Sequence, residues 1–82
     1  MVRYRPQVLD EFASFGIVPK DDTPPERARE VLNDIYRHEL RRLRAQLERK
    51  EIPKAAYAAH VVELRKKYFL LSIQTRYWIQ EP

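Results

Sequence analysis

Thr23 to Lys54 reads TPPERAREVLNDIYRHELRRLRAQLERKEIPK, and this stretch decides the fold. It opens on Thr23-Pro24-Pro25-Glu26. The Thr23 hydroxyl can cap free N–H groups, and Glu26 can reach back, which together make a capping box. Pro24 suits the first helical position, where a missing N–H costs nothing. Ala28, Val31, Leu32, Ile35, Tyr36, Leu40, Leu43 and Leu47 then recur at three- and four-residue steps. That is the period of a helix with one apolar face. No Gly or Pro interrupts until Pro53. The pattern predicts a helix over 24–51, roughly 42 Å long at about 1.5 Å per residue. Acids cluster at its start and bases toward its end, as the helix dipole favours.

Glu51-Ile52-Pro53-Lys54 ends this helix. A residue before Pro is pushed out of the helical region, so Ile52 should be extended and Pro53 should open a second helix. That helix is expected over 53–72. Tyr57, Val61, Leu64, Tyr68 and Leu71 form a heptad-like seam. Val62 and Phe69 lie off the seam and suggest a second buried contact. The small Ala55, Ala56, Ala58 and Ala59 leave room for another helix to approach closely. A short turn between two such helices makes them antiparallel neighbours.

Outward from the hairpin, Val8, Phe12 and Phe15 recur on one face of a short predicted helix over 6–15. Pro6 suits its first turn. Gly16 suits the position after its end, where φ must be positive, with Ile17 folding back on Phe12. At the other end lies an aromatic tail over 73–82, containing Tyr77, Trp78 and Ile79. Its pattern fits a continued helix and an extended segment equally. The expected fold is thus all-α. A short N-terminal helix precedes a long antiparallel helical hairpin with an aromatic C-terminal tail, in a single helical domain over 1–82.

Composition agrees. The chain has 82 residues, with one Gly, six Pro and no Cys. One glycine is too few for the tight turns of an all-β fold, and disulfides and thiolate metal sites are unavailable. No apolar run nears the roughly 18–20 residues of a membrane span. No apolar stretch follows the basic start at Arg3 and Arg5, so no signal peptide is read. The expectation is a cytoplasmic protein without membrane association. The net charge of +4 is uneven: residues 1–34 carry −2 and residues 35–82 carry +6.

No catalytic constellation emerges, and no cofactor is expected. His38 lies about 21 Å before the turn and His60 about 12 Å after it, so within one hairpin they do not meet. Ser14 and Ser72 lack a glycine-flanked elbow. There is no phosphate-cradling loop, and Asp21-Asp22 lacks calcium-loop partners. A non-enzymatic interaction or accessory protein is therefore expected. It would act through self-association, as a dimer or tetramer, or as a subunit of a larger complex. Leu40, Leu43, Leu47, Tyr77 and Trp78 are the expected interface residues; for Tyr77 and Trp78 the pattern equally fits a tail that folds back over the hairpin and completes the core. The alternative is a small nucleic-acid-binding protein, with Arg37, Arg41, Arg42, Arg44, Lys66 and Lys67 on phosphates. Glu39, Glu48 and Glu51 interleave with this basic set, as on a solvated ion-pair surface.

Overall fold

The computed structural model describes residues 2–80. Met1 lies outside them, as do Glu81 and Pro82, the last residues of the tail segment. The described residues form three α-helices: α1 Pro6–Ser14, α2 Pro25–Glu48 and α3 Lys54–Lys67. Two 3-10 segments follow, Phe69–Ser72 and Thr75–Tyr77. The fold is all-α, with a short first helix ahead of a helical hairpin. The chain gathers into two compact units. One comprises Met1–Asn33 with Leu70–Pro82, and the other Asp34–Phe69.

The first unit is built on aromatic contacts. Phe12 of α1 meets Tyr4 edge-on at 6.1 Å and Trp78 edge-on at 5.3 Å. Phe12, Leu32 and Trp78 are completely buried, and Val8, Ala28 and Leu70 pack with them in the core. The tail is neither a continued helix nor a strand. Thr75–Tyr77 makes one 3-10 turn, and Ile79 then pairs with Tyr4 in a lone antiparallel bridge. Arg5 N–H donates to the Trp78 carbonyl at 2.9 Å, and Gln80 N–H to the Arg3 carbonyl at 2.7 Å. Arg29 of α2 secures the same segment. Its guanidinium lies 5.8 Å from the Trp78 ring centre and donates to the Ile73 carbonyl at 3.0 Å and to the Leu71 carbonyl.

Helix α1 ends as the sequence implies. Gly16 has φ 76°, its N–H bonds the Ala13 carbonyl, and Ile17 N–H bonds the Phe12 carbonyl at 2.9 Å. This is a Schellman motif. The capping box does not form. Thr23 Oγ1 accepts the Lys20 N–H at 3.0 Å, closing the preceding turn, while Tyr4 Oη donates to the Thr23 carbonyl at 2.7 Å. Helix α2 therefore starts one residue late, at Pro25, with the Pro24 carbonyl accepting from Arg27 and Ala28.

In the second unit, α2 and α3 run antiparallel. Tyr36 meets Tyr68 at 5.1 Å, and Lys67 Nζ lies 3.2 Å from Glu39 Oε1. The turn is a second Schellman motif: Lys50 N–H bonds the Leu47 carbonyl and Glu51 N–H the Gln46 carbonyl. Lys50 takes the left-handed position with φ 60°. Helix α2 thus stops at Glu48 rather than reaching residue 51. Pro53 is extended (φ −74°, ψ 160°) and caps α3 rather than joining it.

Helix α3 is also shorter than the predicted span of 53–72. It ends at Lys67, and the chain tightens to 3-10 geometry from Phe69. The carbonyls of Leu71 and Ile73, which a continued helix would use internally, are taken by Arg29.

Candidate interaction surface

Helix α3 has no buried residue. Val61 and Leu64, on the predicted seam, are half-buried, and Tyr68, which caps the helix, is buried. The opposite side is unusual for an exposed helix. Ala55, Ala58 and Ala59 are exposed, Val62 is 48% exposed, and Phe69, which opens the 3-10 segment two residues beyond the helix, is 42% exposed. Spacings of three and four residues place α3's members on one stripe. Half-buried Tyr57, Val61 and Leu64 lie on one side of α3, this stripe on another, and His60, Glu63 and Lys67 on a polar side between them. Val62 and Phe69 are partly exposed rather than buried.

Charges frame the stripe. By helical position, Lys54 and Arg65 flank one edge, and neither has an ion-pair partner among the described residues. Lys66 falls within the stripe, one turn beyond Val62, and pairs with Glu63 at 3.6 Å. Arg65, Lys66 and Lys67 occupy the last turn, where the helix dipole favours cations.

The expected interface residues part company. Trp78 is not available to a partner, because it is completely buried against its own chain. The tail's 3-10 turn turns the ring inward, onto Phe12. Tyr77 is 53% exposed, with Arg76 donating to its hydroxyl and lying over its ring at 4.8 Å. Leu43 is buried, and Leu40 and Leu47 are half-buried. Val62 is exposed on the outward face of α3, and Leu9, Val18 and Tyr77 are exposed elsewhere, whereas the leucine face of α2 is buried or half-buried. Val62 and Phe69 lying off the seam carried that signal in the sequence.

The basic residues divide as well. Arg44 pairs with Glu48 at 3.6 Å, Lys66 with Glu63, and Lys67 with Glu39. Arg37, Arg41 and Arg42 have no ion-pair partner among the described residues. Arg41 and Arg42 line a 420 Å³ hollow with His38, Ala45, Gln46 and Arg49.

A 350 Å³ groove between α2 and α3 holds Glu39, Arg42, His60, Glu63 and Lys67 over Leu43 and Leu64. Its Glu39 carboxylate is held by Lys67 and faces the Tyr68 hydroxyl. Burial first, then the hydrogen bond to Glu39 and the charge of Glu39, push the Tyr68 hydroxyl well above the usual tyrosine range. This arrangement joins the two helices and presents no activated nucleophile. His60 lines this groove and His38 the other hollow. Among the described residues, no three His, Cys, Asp or Glu side chains gather as metal ligands. No described helix is long and apolar enough to cross a membrane.

No family model matches the chain, and neither curated proteins nor solved structures give a significant match.

Proposed function

We propose that the protein is a non-enzymatic interaction protein that works as a subunit of a larger assembly, with the outward face of α3 as its working surface. One observation carries this reading. The stripe Ala55, Ala58, Ala59 and Val62 is exposed on a helix that buries none of its own residues. Exposed apolar patches framed by charge mark association sites more often than solvent-facing surface. Small residues on the stripe let another backbone approach closely, and Val62 supplies a larger contact.

Site-specific photo-crosslinking in the source cell tests this. A photoreactive residue replacing Val62 is expected to give a discrete protein adduct, while one replacing exposed Asp10 gives none. Absence of an adduct at Val62, Ala58 and Ala59 alike would contradict the reading.

A second reading, nucleic-acid binding, draws on the unpaired Arg37, Arg41 and Arg42. It requires binding that falls steeply with salt. Three of the six expected phosphate contacts are already paired with carboxylates, which weakens it.

A further inference from the structure

We infer that the outer side of α2 is a second binding surface, one that takes the phosphate backbone of double-stranded DNA. This goes beyond the α3 reading and deepens the nucleic-acid reading, on which it rests. The 420 Å³ hollow lined by His38, Arg41, Arg42, Ala45, Gln46 and Arg49 carries it. Steps of three and four residues set these positions along one side of the helix. His38 and the three arginines are exposed around the short, half-buried Ala45.

No carboxylate lines the hollow, and Arg41 and Arg42 have no ion-pair partner among the described residues. Arg49 has one exposed partner, Glu51 at 3.4 Å. The carboxylate-paired Arg44, Lys66 and Lys67 all lie outside the lining, so their pairing leaves this surface intact. The unit Asp34–Phe69 that bears it carries ten basic and five acidic residues, a net +5.

The chemistry of the surface selects its occupant. Every permanent cation on it is an arginine, whose planar fork matches phosphate oxygens two at a time. Exposed arginines gain little from single carboxylates in water, which disfavours an acidic peptide. Phosphates on a dense polyanion instead release condensed counterions as they are neutralised, and that drives binding by exposed charge. No aromatic side chain lines the hollow to stack an unpaired base, and no large apolar one to enter a membrane. By helical position Arg41 lies on one flank of the line from His38 to Ala45, with Arg42 and Arg49 on the other. Such a helix edge straddles the wide major groove of DNA with cations toward both walls. The deep, narrow major groove of duplex RNA does not admit it.

Fluorescence anisotropy tests this with the full chain and a labelled DNA duplex of about 20 base pairs, across a range of salt. Three arginines neutralise about three phosphates, so log affinity is expected to fall against log salt with a slope of about −3. Arg42→Gln should reduce that slope by about 1, while Lys20→Gln, exposed in the other unit, leaves it unchanged. Ala45→Glu, which sets a carboxylate in the hollow, should weaken binding at least about tenfold with an unaltered circular dichroism spectrum. Asp34→Asn removes an exposed carboxylate one turn before His38 and should tighten binding about twofold, a gain that misfolding does not produce. Single-stranded DNA or duplex RNA binding as tightly as duplex DNA overturns the inference and leaves the broader nucleic-acid reading standing. So does DNA binding that neither Arg42→Gln nor Ala45→Glu alters. No binding to any of the three at low salt removes both.

Discussion

The Trp78 indole stands edge-on to the Phe12 ring, with centres 5.3 Å apart and planes at 80°, and both side chains are completely buried. This contact ties the tail to α1, and the Arg29 guanidinium lies over the indole, 5.8 Å from its centre. Truncating a buried aromatic in a core typically costs about 3–5 kcal/mol. Trp78→Ala is therefore expected to cost at least about 3 kcal/mol, which urea denaturation followed by circular dichroism will measure. A loss below about 1 kcal/mol would mean that the tail does not hold this unit together.

Arg29 does more than carry charge. It supplies donors to two carbonyls and a cation near an aromatic ring. Arg29→Met keeps the aliphatic stem and removes the donors, at an expected cost of about 1.5–3 kcal/mol. Arg29→Lys is expected to recover little, because a point-charge ammonium does not reproduce the guanidinium fork. Equal stability of the wild type and the Lys variant in thermal melts would show that charge alone suffices.

The two Schellman turns give predictions of opposite sign. Lys50 holds φ 60°, a conformation that costs an ordinary side chain about 1 kcal/mol relative to glycine. Lys50→Gly is expected to stabilise by about 0.5–1 kcal/mol. Gly16 has φ 76°, and an added Cβ would meet nothing within 4 Å. Gly16→Ala is then expected to destabilise by about 1 kcal/mol through backbone strain alone. Paired chemical denaturation curves check both signs.

Tyr68 sets the alkaline limit of the hairpin. Its folded-state pKa is raised above the unfolded value of 10.0, by burial first and then by Glu39. A neutral group with a raised pKa gives its full stabilisation below the unfolded pKa, and loses it as pH climbs from there toward the folded value. Melting temperature should therefore fall above about pH 10. Tyr68→Phe should show a smaller fall over the same range. Parallel curves for the two proteins would contradict the assignment.

How much of this was legible in the sequence depends on where the physics is local. Apolar period and proline position located all three helices. Gly16 announced its own turn, because only glycine adopts that φ freely. The second turn was hidden, because Lys50 carries no such signature and the packing of α2 on α3 holds it in place. Thr23 misled for a related reason: its hydroxyl can serve either the helix or the preceding turn, and the turn wins. The tail could not be read, since a single 3-10 turn followed by one bridge has no period. Its orientation comes from contacts with Tyr4, Phe12 and Arg29, all distant in sequence. The seam of α3 was visible, but its outer stripe was expected to be buried, because sequence period does not say whether a second helix is present to cover it.

The most direct test of the α3 face is photo-crosslinking in the source cell from Val62. The account predicts a discrete protein adduct there and none from Asp10. Absence of an adduct from Val62, Ala58 and Ala59 alike would contradict it.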